Sequence, residues 1–119
     1  MTVTDTFHSR SAPASDNIHY SIAAELHSPR IVVLRASGEL DMRARADLVE
    51  SLDDVLRGET VVLLDLSAVS FMDAGSATVI VEAAARAGDR LEVFAPTRPA
   101  RRILDVLGAA AIMCDSRAA

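Results

Sequence analysis

VVLLDLSAVSFMDAGSATVIVEAAARA, residues 61 to 87, changes period partway along an otherwise apolar run. Its opening, VVLLDLS (61–67), is apolar on both faces, the pattern of a strand in the middle of a covered sheet. Further on, Val79, Ile80, Ala83, Ala84 and Ala87 form one helical stripe, while Thr78, Glu82 and Arg86 fall on the other side, with Glu82 and Arg86 spaced i,i+4. The spacing predicts a buried strand over 61–67 and a helix over 76–87 that covers the sheet. Between them lies a junction, Asp73-Ala74-Gly75-Ser76, that leaves the strand and opens the helix.

Upstream, HYSIAAEL (19–26) and RIVVLRAS (30–37) read as two strands whose short link, His27-Ser28-Pro29, makes an antiparallel hairpin. Gly38-Glu39-Leu40-Asp41 follows, then Ala44, Leu48, Leu52, Val55 and Leu56 at helical spacing, with Asp41 placed as the N-cap and Gly58 as the stop. Downstream, Gly88 ends the second helix and RLEVFAP (90–96) is a strand. Thr97 caps a third helix with Ala100, Ile103, Leu104 and Leu107 inward, and Gly108 precedes a short strand over 110–114. The order β-β-α-β-α-β-α-β implies an α/β fold: a mixed sheet with an antiparallel N-terminal hairpin, right-handed crossovers and helices packed on it. Residues 1–17 are polar and without period, so they read as a flexible N-terminal arm, with the folded domain over 18–119.

Composition narrows the function classes. With 119 residues, half of them hydrophobic, the chain can build one core. No run reaches the roughly 18 apolar residues of a membrane span, and the N-terminus lacks a cationic start followed by an apolar block, so a cytoplasmic protein without membrane insertion is expected. The net charge is −5 and all twelve cations are Arg, which leaves no broad basic footprint for nucleic acid. The single cysteine, Cys114, sits in an apolar run and reads as a small buried thiol, which excludes a disulfide scaffold.

Enzyme signatures are thin. From Gly38 onward each glycine stands alone at an element boundary, so no phosphate-cradling loop can be assembled. His8, His19 and His27 lie in the arm or first hairpin without a metal-ligand cluster, and no cofactor is implied. Asp65 and Asp73 are the acids best placed for function, but no nucleophile-base pair accompanies them. The 73–76 junction has two readings. Helix N-terminal amides favour anions, so a hydroxyl exposed there could carry a phosphate that changes a partner-facing surface without melting the helix. Equally, Asp73 is a plain N-cap, Gly75 permits the turn and Ser76 fills the first turn.

The residues that bear on this choice also carry a family resemblance, over about residues 19 to 114. Gly38-Glu39-Leu40-Asp41, Val62-Leu63-Leu64-Asp65-Leu66-Ser67, Ser70-Phe71-Met72-Asp73 and Arg102-Ile103-Leu104-Asp105-Val106-Leu107-Gly108 occur in the order and spacing of the STAS domain, and the chain resembles in particular the bacterial anti-sigma factor antagonists. The resemblance implies a non-catalytic binding protein, a monomer or weak dimer, whose partner is an anti-sigma factor of the serine kinase type, with a sigma factor released on binding. It also implies a partner-binding surface of Asp41, Asp73, Ala74, Gly75, Ser76 and Thr78. The family pattern puts the phosphorylated Ser or Thr two positions after the Asp, where this chain has Gly75; Ser76, one residue on, is the candidate acceptor. One residue along a helix is a rotation of about 100°, so the departure bears directly on the switch. A second branch of the family, the STAS accessory subunit of a lipid-transporting ATPase, works without a phosphoserine.

Overall fold

A computed structural model describes residues 6–11 and 19–114 of the chain. Nine regular elements follow in order: β1 (Thr6–Ser11), β2 (Tyr20–Ser28), β3 (Ile31–Leu40), α1 (Arg45–Leu56), β4 (Val61–Met72), α2 (Ala74–Ala87), β5 (Leu91–Phe94), α3 (Arg98–Val106) and β6 (Met113–Cys114). They form one six-stranded sheet in the order β1-β2-β3-β4-β5-β6. The β2–β3 hairpin is antiparallel, and β3, β4, β5 and β6 run parallel, joined by α1, α2 and α3.

The two periods of the sequence explain the layers. Register brings Ile22 and Ala24 of β2, Val32 and Leu34 of β3, Val62 and Leu64 of β4, and Leu91 and Val93 of β5 to one face. There they share a single apolar cluster with Leu48 and Leu52 of α1, Ile80 and Ala83 of α2, and Ala100 and Leu104 of α3. Each fully buried Leu or Ile contributes about 1.5–3 kcal/mol relative to exposure. The alanines of α2 let that helix approach the sheet closely. Tyr20 ties the hairpin to α1 through a 2.5 Å hydrogen bond from its hydroxyl to Asp47 Oδ2.

The α/β hairpin-plus-crossover architecture is as the pattern predicts, except that the last strand is Met113–Cys114 alone, Ala110–Ile112 forming a 3-10 turn before it, and that four further details differ. β4 runs on to Met72, beyond residue 67, because β3 also runs on: Ser37, Gly38, Glu39 and Leu40 pair with Ala68, Val69, Phe71 and Met72 across two register shifts. Gly38 makes this possible, since it holds φ +80° and a Cβ there would collide with the carbonyl of His19. α1 begins at Arg45 with Ala44 as its N-cap, so Asp41 does not cap it. Leu107, expected inward, is exposed at the end of α3. Finally, Thr6–Ser11 is not irregular: it pairs antiparallel with β2, Ser9 opposite Ala23 and Ser11 opposite Ser21. Backbone groups of β2's free edge satisfy this strand, and such pairing leaves no mark in side-chain periodicity. The rest of the expected arm, 1–5 and 12–17, lies outside the described residues.

Candidate partner-binding site

Leu40 and Met72 pair at the carboxyl ends of β3 and β4, and Asp73 N–H donates to Leu40 O at 3.0 Å, so the loop over 41–44 and the junction at 73–76 leave the sheet side by side. Three polar contacts then fasten one to the other or to the helix it opens. Asp73 is the N-cap of α2 and its Oδ1 accepts from Ser76 N–H at 2.8 Å, satisfying one of the free amides of the first turn. Its other oxygen, Oδ2, receives the guanidinium of Arg45 at 2.8 Å from the first turn of α1. Ser76 Oγ in turn donates to Asp41 O at 3.4 Å, back across the gap.

The carboxylates are held ionised for separate reasons. Partial burial pushes Asp73 up, but the hydrogen bonds from Ser76 and the Arg45 guanidinium outweigh it and hold the carboxyl below its ordinary value. Asp41 is lowered chiefly by Arg43, whose Nη2 lies 2.9 Å from Oδ2 and whose backbone N–H donates to Oδ1 at 2.9 Å.

Exposed apolar side chains stand beside this charged network. Met42 is 74% exposed and Phe71 48% exposed, the latter opposite Glu39 on β3. Ala74 and Thr78 are exposed on α2, and Thr78 turns its hydroxyl back onto Ala74 O at 2.8 Å. The structure therefore brings Asp41, Asp73, Ala74, Gly75 and Thr78 together at one end of the sheet.

Ser76 differs. It is fully buried, with its hydroxyl pointing inward at Asp41 O. The expectation of an exposed hydroxyl on the junction is corrected here: position three of α2 faces the sheet, in line with Ala77, Ile80 and Ala83. The plain capping reading of Asp73 is the one the geometry matches. Gly75, half-buried, has its free side occupied, for a Cβ built there would fall within the guanidinium of Arg45. Arg45 is the residue that sequence reasoning missed. One signal pointed to it: two cations, Arg43 and Arg45, at the start of a helix, where the macrodipole disfavours positive charge and a carboxylate partner is called for.

A family model described as Mlab, STAS domain, matches residues 24–114. The chain belongs to the STAS domain family. Among solved structures, this STAS domain is similar to an anti-sigma factor antagonist from Mycobacterium paratuberculosis, with 22% identity, a TM-score of 0.74, and coverage of 90% of this chain and 92% of that one. It is also similar to the anti-sigma factor antagonist SpoIIAA in its unphosphorylated form, with 21% identity, a TM-score of 0.65, and coverage of 81% and 88%. The Bacillus cell fate determinant SpoIIAA in its phosphorylated form matches at 20% identity and a TM-score of 0.65, over 81% and 91% of the two chains. At these identities the likeness is one of fold. Comparison with curated proteins gives no match.

Elsewhere, no group of three or more His, Cys, Asp or Glu among the described residues is placed to hold a metal ion, and no described helix is long and apolar enough to cross a membrane. Asp65 is buried on β4, its Oδ1 accepting from Ser67 N–H at 2.9 Å and its Oδ2 lying 3.5 Å from Arg35 Nε. Cys114, expected to be a buried thiol, is half-buried on β6.

Proposed function

We propose that this STAS domain is an anti-sigma factor antagonist, a cytoplasmic, non-catalytic protein that binds an anti-sigma factor of the serine kinase type and so releases a sigma factor. The observation that carries the reading is the fastened pair of loops at the carboxyl ends of β3 and β4, which holds Asp41, Asp73, Ala74, Gly75 and Thr78 together, with Met42 exposed in one loop and Phe71 exposed at the end of β4. A polar network with large exposed apolar side chains at the same end of the sheet is the composition of a protein-binding patch. The solved neighbours named for sigma-factor control support the same role.

Binding by this surface is constitutive. Ser76 is fully buried, so a phosphoryl group would reach its hydroxyl only if the first turn of α2 opened, and position 75 has no hydroxyl to offer. Isothermal titration against the purified anti-sigma kinases of the source genome tests the reading. One of them should bind with a Kd that rises about tenfold or more on Phe71→Ala or Met42→Ala, while intact-mass analysis with that kinase and ATP shows no phosphate. Absence of binding to every such kinase would remove the antagonist reading. A phosphate mapped to Ser76 would remove the constitutive one.

A second reading, an accessory subunit of a lipid-transporting ATPase, is favoured by the same blocked position 75, since that role needs no phosphate. Co-expression with the ATPase subunit would then yield a stable complex on size exclusion, and the anti-sigma kinases would not bind.

A further inference from the structure

Arg45 occupies an unusual place. Its guanidinium lies directly against Gly75, overlapping the space that any side chain at that position would need, and it reaches Asp73 Oδ2 at 2.8 Å. Its Nε is buried and has no hydrogen-bond partner, although the side chain as a whole is 39% exposed. A buried unsatisfied donor costs stability and calls for an explanation. Helix preference offers none, because a cation in the first turn of α1 opposes the macrodipole. Nor does the apolar core explain it, since Arg45 is absent from that cluster. What the arrangement does provide is a bridge from α1 to the N-cap of α2, laid over a residue whose missing side chain makes room for it.

We propose that Arg45 and Gly75 act as one unit, a guanidinium latch that fixes the two loops in a single binding form. Asp73 has two oxygens and two tasks: Oδ1 holds the Ser76 amide and Oδ2 holds Arg45. With both engaged, the carboxylate cannot turn, and the first turn of α2 is held against the 41–44 loop, where Ser76 Oγ closes the circuit on Asp41 O. A side chain at position 75 and the guanidinium of Arg45 are mutually exclusive in this geometry. The obstructing atoms are the far end of a flexible side chain, so a new Cβ displaces Arg45 and leaves the backbone in place. The inference rests on the proposed function only for its consequence, that the partner reads the latched form. The latch itself is a property of the isolated protein.

Four chains test it: the native protein, Arg45→Gln, Gly75→Ser, and the two together. Carbon-13 titration of the Asp73 carboxyl and hydrogen exchange of the Ser76 and Ala77 amides are the readouts, neither of which needs a partner. Both single variants should raise the Asp73 pKa toward the ordinary value and speed exchange at Ser76 by up to about fivefold, the upper end of the range for losing a partly exposed ion pair. The double variant should match Arg45→Gln, because Gly75→Ser acts only by expelling the guanidinium. Full additivity of the two changes would overturn the proposal, as would an Asp73 titration in Gly75→Ser identical to native. Gly75→Ala repeats the perturbation from the glycine side with Arg45 intact, so failure of one variant to fold does not stall the test. If the latch holds in these assays and no anti-sigma kinase binds, the antagonist reading falls while the latch stands.

Discussion

Two junctions leave the same end of the parallel strands, and they solve the same problem differently. At β4–α2, the N-cap Asp73 spends its side chain on the helix it opens, taking Ser76 N–H, and on its neighbour α1 through Arg45. At β5–α3, the N-cap Thr97 makes no side-chain cap; its hydroxyl instead donates to Val69 O of β4 at 3.2 Å. The first junction is a charged network fixed from both sides. The second is a neutral cross-link to the sheet, followed by Arg98 and no acid in the first turn. The difference shows that a residue's identity as an N-cap type does not state what its side chain will bind. A carboxylate with two oxygens can cap and bridge together, whereas the single hydroxyl of Thr97 is spent on one strand carbonyl.

The contrast breaks most severely at Ser76. Ser76→Asp should destabilise the fold by about 2–4 kcal/mol, because it buries a second carboxylate beside Asp73 with no cation freed to meet it. Urea unfolding would show it, and a variant as stable as native would mean that the first turn of α2 opens readily. Next, Asp73→Ala should cost about 2 kcal/mol, the sum of a lost cap and a stranded Arg45, while Thr97→Ala should cost about 1 kcal/mol or less, one neutral hydrogen bond. Equal losses at the two sites would erase the distinction.

Acid sharpens it further. The Asp73 carboxyl lies below its ordinary value in the folded chain, so its contribution is fully present above the unfolded value, about pH 3.9, and is lost as pH falls through the folded one. Below pH 4 the amides of Ser76 and Ala77 should therefore lose protection before that of Arg101, which bonds to Thr97 O, and Asp73→Asn should abolish the difference. The smallest effect is expected on the neutral side. Arg98→Glu replaces an exposed cation in the first turn of α3 with an anion and should stabilise the protein by about 0.3–1 kcal/mol, read as a small rise in the urea midpoint.

Much of this was legible along the chain. The period change between Val61–Leu66 and Val79–Ala87 located the central strand and its helix, and the junction between them fell where the two loops meet. What escaped notice had physical reasons. Extension of β4 to Met72 depended on β3 running equally far, which only pairing reveals. The strand Thr6–Ser11 is held by backbone hydrogen bonds to β2, so its polar sequence gave no signal. Asp41 looks like a cap for α1 because it precedes the apolar stripe, yet Arg43 captures its carboxylate within the preceding turn and the helix starts at Arg45.

By itself the sequence determined the layered α/β order, most of the face each helix turns inward, and the placing of an acid, a glycine and a hydroxyl at one strand-to-helix junction, since all of these follow from local period and residue type. Only the tertiary structure decided what those junction residues do. A residue's reach across 28 positions, from Arg45 to Asp73, or across 35, from Asp41 O to Ser76, is set by which strands lie side by side. The bond from Ser76 Oγ to Asp41 O and the occupied space over Gly75 are consequences of that adjacency. No local pattern encodes them, because they depend on where another segment of the chain comes to rest.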